Sequence, residues 1–139
     1  MAVSKKYEPG NFNLKVKRSS AGLGLFAGQN IPQGACIIEY VGRSISEAEQ
    51  YTSRSKYLFE VDSKITLDGK PKFNKAGYIN HSCRPNAEPV IHAKRIFIIA
   101  KRAIKPGEEI SYNYGKQYWN EHIKPYGCRC LKCHKTTKA

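Results

Sequence analysis

The chain has 139 residues, 40% of them hydrophobic, which suits one domain whose single core buries roughly 68–70% of the surface that the unfolded chain exposes. Lysine and arginine number 24 against 11 aspartates and glutamates, and the net charge of +13 fits either a well-solvated surface or attraction to nucleic acid or an acidic partner. No apolar run approaches the ~20 residues of a transmembrane helix. The opening "MAVSKKYEPG" also lacks the apolar region of a secretory signal, so neither membrane insertion nor secretion is expected.

Short apolar runs separated by turn residues predict a mostly β fold. Ser46 and Glu49 have the spacing of a capping box, which predicts one helix over 46–54. In chain order, strands are predicted over 35–40, 57–62, 87–92, 95–100 and 108–114, with turns at Pro32-Gln33-Gly34, Asp68-Gly69 and Pro106-Gly107.

Four blocks of sequence, in the order in which that family has them, resemble the SET-domain family. They cover about residues 14–133. They are an opening of "RSSAGLGLFA" (18–27) and "ACIIEYVG" (35–42), a central "YINHSCRPNAE" (78–88), a closing "GEEISYNYG" (107–115), and "CRCLKC" (128–133), which resembles the cysteine tail called post-SET.

The resemblance implies a mostly β SET fold of short strands with a C-terminal pseudoknot and a small zinc-bound tail. It divides the chain into an N-terminal arm (1–13), a SET domain (14–116) and a post-SET tail (117–139). It also implies an S-adenosylmethionine-dependent protein-lysine N-methyltransferase.

The expected cofactor contacts lie in two segments. Taken alone, Gly22-Leu23-Gly24 indicates a tight turn or a close backbone approach to a ligand, and Asn80-His81-Ser82 matches a glycosylation sequon. By resemblance, Gly22, Leu23, Gly24 and Asn80 hold the amino-acid end of S-adenosylmethionine. His81 meets the adenine through its backbone and is not expected to act as a general base.

Tyrosines are expected to carry the chemistry. By resemblance, Tyr114 lies beside the transferred methyl group, and Tyr57 and Phe59 line the channel that admits the target lysine. Tyr112 also lines this channel, where its hydroxyl can hold a water in the place of a further methyl group, so the main products are expected to be mono- and dimethyllysine. Trp119 or Tyr118 covers the adenine or the channel, or else packs on the tail.

The five cysteines do not suggest a disulfide framework, because their number is odd and the chain is expected to be intracellular. Cys128, Cys130 and Cys133 lie on a lysine-rich tail that has too little apolar content to fold by burial alone. A tetrahedral zinc ion with four ligands would organise this tail. By resemblance, Cys83 supplies the fourth ligand, and Cys36 is left as a buried strand cysteine.

Two alternatives use the same residues. His134 is a rival for the fourth zinc ligand, although its adjacency to Cys133 makes the geometry awkward. Residues 130–134 also fit the C-x-x-C-H pattern of c-type haem attachment, which requires export and leaves Cys128 and Cys83 unexplained.

Two segments depart from the family pattern: Gly77-Tyr78 stands where many relatives have Arg-Phe, and Asn113 replaces the more usual Asp before Tyr114. The expected substrate is a lysine of a histone or another chromosome-associated protein. An enzyme with a net charge of +13 should repel an isolated basic peptide, so either the basic surface contacts DNA or RNA, or the substrate is a non-histone protein such as a ribosomal one. The competing class is a non-enzymatic nucleic-acid-binding or reader module.

The expected location is a reducing compartment inside the cell, either the nucleus and its chromatin or a bacterial cytoplasm and nucleoid. The sequence leaves the oligomeric state open.

Overall fold

The computed structural model describes residues 7–20, 22–46, 49, 58–61, 65–71 and 73–115. Within these ranges the chain forms mainly short strands with few helical residues, so the mostly β fold expected from the sequence is confirmed. The strands are β1 (Leu14–Ser19), β2 (Gly22–Ala27), β3 (Cys36–Tyr40), β4 (Arg43–Ile45), β5 (Leu58–Glu60), β6 (Thr66–Asp68), β7 (Asn80–His81), β8 (Ala87–His92), β9 (Arg95–Ala100) and β10 (Ser111–Tyr112), and the 3-10 helix is Lys75–Tyr78.

The centre of the fold is the antiparallel sheet β3-β9-β8. Five of the six residues of β9 are buried, as its continuous apolar sequence predicts for a central strand. The β8–β9 hairpin turns at Ala93 and Lys94, with φ values of 50° and 62°. Positive φ at both central residues matches a type I′ turn, in which glycine and asparagine are favoured.

A second layer forms on the β1–β2 hairpin. The segment that precedes β10 lies along the free edge of β2, because Ala27 donates its backbone N–H to Glu108 and Ile110 donates to Leu25. The chain therefore returns beside its N-terminal hairpin just before it enters β10.

A small three-stranded sheet has the order β4-β6-β5, and its strands come between β3 and β7 along the chain. Just after β4, Glu49 donates its N–H to Ser46 Oγ over 3.2 Å, and Ser46 donates its N–H to Glu49 Oε1 over 3.5 Å. The predicted capping box is present, and Glu49 is helical. The rest of the helix predicted over 46–54 lies outside the described residues.

One buried polar side chain replaces regular backbone pairing near β6. Asn74 is 2% exposed, accepts the N–H of Val41 at Oδ1 over 3.0 Å and donates from Nδ2 to the carbonyl of Gly69 over 3.0 Å. These bonds offset the cost of burying the amide and fix the loop that leads into the 3-10 helix.

The remaining two strands, β7 and β10, pair in parallel, with Ser111 opposite Asn80 and Tyr112 opposite His81. This corrects the strand predicted over 108–114, which is regular only at Ser111–Tyr112. Asn113 ends the strand because its side chain accepts the N–H of Gly115 over 2.8 Å. The threading of a C-terminal pseudoknot stays a prediction of the resemblance.

The predicted strands over 87–92 and 95–100 are confirmed at both ends, and 35–40 begins one residue later. The run 57–62 forms a strand only over Leu58–Glu60, and residues 57 and 62 lie outside the described set. In the described part of the chain, no helix is long and apolar enough to cross a membrane.

Candidate active site

The parallel pair β7–β10 brings the central and closing sequence blocks together. Besides the ladder, Ser82 donates its N–H to the carbonyl of Tyr112 over 3.1 Å. Tyr114 follows two residues after Tyr112, so it lies beside the segment that contains Asn80 and His81. Residues more than 30 positions apart in sequence thus lie side by side.

The ring of His81 is held on both sides. The N–H of Tyr114 donates to Nδ1 over 3.1 Å, and Nε2 lies 3.6 Å from Sγ of Cys83. Because Nδ1 accepts, the neutral imidazole carries its proton on Nε2. Burial lowers the pKa of His81 below its ordinary value, which favours the same neutral form. Both ring nitrogens therefore have a neighbour within the site, and the expectation that His81 is no general base stays a prediction.

The hydroxyl of Tyr114 donates a hydrogen bond to the carbonyl of Ile79. Its ring meets His81 edge-on at a centroid distance of 5.5 Å and lies 5.1 Å from the ring of Tyr112. A phenol that already donates its proton keeps oxygen lone pairs for a second partner. Tyr114 is therefore placed to accept a hydrogen bond from a bound group.

Two further aromatic rings lie near Tyr112. The ring of Phe59 lies 6.3 Å from that of Tyr112 and 5.3 Å from that of Tyr40. Tyr112 and Tyr40 are buried, whereas Phe59 is partly exposed. Sequence reasoning missed Tyr40, because it ends a buried strand and looks like an ordinary core residue. Tyr57, the other expected channel residue, lies outside the described residues.

Asn80 sits among three acceptors. Its Nδ2 lies 2.8 Å from Oε2 of Glu109, 2.9 Å from the carbonyl of Leu23 and 3.0 Å from Oγ of Ser19. A Cβ on Gly24 would meet Oε2 of Glu109 at 2.3 Å and Nδ2 of Asn80 at 3.1 Å. Gly24 thus leaves room for these two side chains.

The other two residues of the Gly-Leu-Gly segment face outward. Gly22 opens β2 with a φ of 101°, and a Cβ added to it would meet no other residue within 4 Å. Leu23 is 52% exposed. The tight turn that the sequence suggested for this segment is wrong, because all three residues belong to β2.

Asn86 holds the closing segment in place, and sequence reasoning also missed it. It is 3% exposed, donates from Nδ2 to the carbonyl of Glu109 over 2.8 Å and accepts the N–H of Ser111 at Oδ1 over 2.9 Å. Its amide therefore substitutes for a neighbouring strand beside residues 109–111. The only sequence signal was a polar residue directly before the apolar start of β8.

The expected metal ligands are only partly described. Cys83 is half-buried beside His81, while Cys128, Cys130 and Cys133, like Trp119, lie outside the described residues. Among the residues that the structure describes, no three His, Cys, Asp or Glu side chains are grouped to hold a metal ion. Cys36 is buried in β3, as expected, and burial raises the pKa of its thiol to about 11.

This geometry agrees with the comparison to known families. The SET domain family model matches residues 22–115, which contain both halves of the site. The chain belongs to the SET domain family. The match ends at Gly115, just after the tyrosine that the β7–β10 pair brings beside His81.

Curated relatives of this SET domain are large proteins. It is 33% identical over 133 residues to Histone-lysine N-methyltransferase EHMT1 of Mus musculus, covering 85% of this chain and 10% of that protein. It is 38% identical over 137 residues to Histone-lysine N-methyltransferase trr of Drosophila melanogaster, covering 88% of this chain and 6% of that protein. The chain thus spans a tenth or less of these two relatives.

A solved structure has the same fold. The crystal structure of KRYPTONITE in complex with mCHG DNA and SAH superposes with a TM-score of 0.68 at 31% sequence identity, covering 81% of this chain and 25% of that one.

Proposed function

We propose that this SET domain transfers a methyl group from S-adenosylmethionine to the side-chain amine of a protein lysine, in a histone or another chromosome-associated protein. The observation that carries the proposal is the β7–β10 pair, which puts Tyr112 and Tyr114 against the Asn80–His81 segment. The names of the relatives and the SAH in the related complex support it.

The residues around Gly24 fit the cofactor. The site lacks a Cβ where one would collide with Glu109 and Asn80, and it offers carboxylate, carbonyl and hydroxyl acceptors that suit an ammonium group. When bound, S-adenosylmethionine supplies an electrophilic methyl group on a sulfonium. We assign its amino-acid end to Gly22, Leu23, Gly24 and Asn80, and its adenine to the backbone of His81.

The chain must bring a neutral amine to that methyl group. With a reference pKa of about 10.4, lysine is protonated near pH 7, and forming the neutral amine costs roughly 4–5 kcal/mol. Aromatic surroundings such as buried Tyr40 and Tyr112 and half-buried Phe59 disfavour the charged form and reduce this cost. The hydroxyl of Tyr114, already donating to Ile79, can accept a hydrogen bond from the amine and align it for displacement.

We assign to Tyr112 the control of how many methyl groups the lysine receives. Its ring lies 5.1 Å from that of Tyr114, and its hydroxyl can hold a water where another methyl group would otherwise fit. We therefore propose mono- and dimethyllysine as the main products.

The remaining assignments follow the same proposal. Residues 14–116 form the SET domain, preceded by an arm (1–13) and followed by a zinc-binding tail (117–139). Cys83, Cys128, Cys130 and Cys133 are the proposed ligands of one structural zinc ion, with Trp119 near the adenine. Association with chromatin follows from the histone substrate.

Contact with nucleic acid is a second candidate function, and the β1–β2 hairpin favours it. Lys15, Lys17 and Arg18 are exposed on β1, and no acidic residue stands in either strand. By contrast, Arg43, Arg95 and Arg102 are paired with glutamates. A basic strand of this kind can contact phosphates and hold the domain near a chromosome-bound substrate.

The test is methyl transfer from labelled S-adenosylmethionine to core histones, nucleosomes and a cell lysate with and without nuclease. Wild type should label a protein lysine, and Tyr114→Phe should lower the rate about a hundredfold or more, as loss of an aligned polar group at a reaction centre does. Tyr7→Phe, which alters a tyrosine stacked on His92, is the control. Absence of transfer by a folded wild type that binds the cofactor would favour the binding-module alternative.

A further inference from the structure

Glu109, whose carboxylate lies beside Gly24, makes a direct contact with Asn80 of the cofactor segment. Its Oε2 accepts a hydrogen bond from Nδ2 of Asn80 over 2.8 Å. The carboxylate reaches Asn80 by crossing β2 at Gly24, where a side chain would block it.

The backbone holds Glu109 firmly in this position. Residue 109 forms a bridge with Phe26 of β2, and its carbonyl accepts from the buried amide of Asn86. The next residue, Ile110, donates its N–H to Leu25. The backbone of Glu109 is thus fixed next to Gly24, within reach of Asn80.

Two acceptors decide which end of the Asn80 amide faces inward, that is, towards Glu109 and Leu23. An ionised carboxylate and a backbone carbonyl can only accept, so the Glu109 and Leu23 oxygens require the NH₂ group of Asn80. The amide oxygen is then left over. Within the described part of the chain, Oδ1 of Asn80 takes part in no hydrogen bond.

We propose that Glu109 is a positioning residue that locks the amide of Asn80 with its NH₂ group inward and its oxygen outward, so that the site offers an acceptor to the cationic amino group of the methyl donor. This inference rests on the proposed function, because it assumes that Asn80 holds the amino-acid end of the cofactor. It also gives a reason why the site selects a cationic amino group. The amide of Asn80 could present either a donor or an acceptor to the ligand, and the lock leaves only the acceptor.

Glu109→Gln weakens the lock while keeping the shape of the side chain. A glutamine can face Asn80 with either its NH₂ or its oxygen, so only the Leu23 carbonyl still opposes the reversed amide of Asn80. Glu108→Gln is the matched control, because the neighbouring carboxylate binds Arg102 and the N–H of Lys105 instead.

The first readout is the dissociation constant of S-adenosylhomocysteine by calorimetry. We expect it to rise about tenfold or more in Glu109→Gln, the scale of a lost charge-assisted hydrogen bond, and to stay unchanged in Glu108→Gln. In an Asn80→Ala background, the further change to Glu109→Gln should have no effect on binding. An equal loss in that background would mean that Glu109 acts without Asn80, which overturns the proposal.

The second readout needs no cofactor. Side-chain amide proton exchange of Asn80, followed by NMR, should be slow in wild type and Glu108→Gln and faster in Glu109→Gln. Unchanged exchange and unchanged affinity in Glu109→Gln would overturn the lock even if the wild type methylates lysine. Failure of the wild type to bind S-adenosylhomocysteine would instead refute the proposed function. The amide exchange of Asn80 would still show whether Glu109 fixes the orientation of that amide.

Discussion

The backbone N–H of Tyr114 donates to Nδ1 of His81 over 3.1 Å, so the position of the proposed catalytic tyrosine depends on a neutral histidine. A protonated imidazole has a hydrogen on Nδ1 and cannot accept this bond. The hydrogen bond between the two residues therefore depends on pH.

We predict that stability falls in acid through His81. Burial lowers its folded-state pKa below the ordinary 6.5, so between these two pKa values the unfolded state binds more protons than the folded state. The contribution is fully present above pH 6.5 and is lost as the pH falls towards the folded-state pKa. Denaturant unfolding at several pH values should show this fall in wild type and a smaller one in His81→Gln. Equal slopes in the two proteins would contradict the prediction.

Asn86→Ala should destabilise the fold by about 2–4 kcal/mol, because it leaves two backbone groups of the closing segment without their partner. These are the carbonyl of Glu109 and the N–H of Ser111. Asn86→Asp keeps the acceptor for Ser111 but turns a buried carboxylate oxygen towards the carbonyl of Glu109, so it should destabilise the fold at least as much as Asn86→Ala. Urea unfolding measures both, and a loss below about 0.5 kcal/mol in both variants would argue against the described pair of bonds.

Lys94→Gly should raise the free energy of unfolding by about 0.5–1 kcal/mol, because Lys94 has a φ of 62° in the β8–β9 turn, where glycine is not strained. Lys101→Gly is the control, since Lys101 is exposed but is not among the residues with positive φ. It should be neutral or destabilising. A lower melting temperature in Lys94→Gly would show that this turn does not hold positive φ in solution.

Tyr112→Phe should shift the products towards trimethyllysine, because removing the hydroxyl releases the proposed water and makes room for a further methyl group. Tyr112 is 5% exposed and packs between Phe59 and Tyr114, so a phenylalanine preserves the packing. Mass spectrometry of the methylated substrate reads the result directly. Efficient trimethylation by the wild type would refute the assignment.

The proposed zinc site predicts different effects for the two described cysteines. Wild type should contain one zinc ion per chain, and Cys83→Ser should lose most of it because a ligand is removed. Cys36→Ala should keep its zinc, since burial raises the pKa of that thiol to about 11 and it stays a protonated core residue. Elemental analysis of the purified proteins decides the matter. Full zinc content in Cys83→Ser would favour a different fourth ligand, such as His134.

The sequence predicted well where structure is local. Strands β8 and β9 were predicted at their full lengths, because the apolar run of β9 is long enough for a buried central strand. The capping box at Ser46 and Glu49 was also visible, because its partners are three residues apart.

By contrast, β7 and β10 have two residues each and carry no periodicity, so no local pattern could reveal them. The β1–β2 hairpin was missed for a related reason. Exposed basic residues and glycines gave its strands little of the alternation that marks a half-buried strand.

By itself, the sequence determined the residue types of the site: the Gly-Leu-Gly segment, Asn80-His81, and the tyrosines of the closing block, in the order that places the chain in its family. Only the tertiary structure decided how they meet. The parallel pairing of residues 80 and 111, the reach of Glu109 across Gly24 to Asn80, and the support of residues 109–111 by Asn86 join segments more than 20 residues apart. Such contacts depend on closing long loops and on buried polar groups finding partners, which no short stretch of sequence encodes.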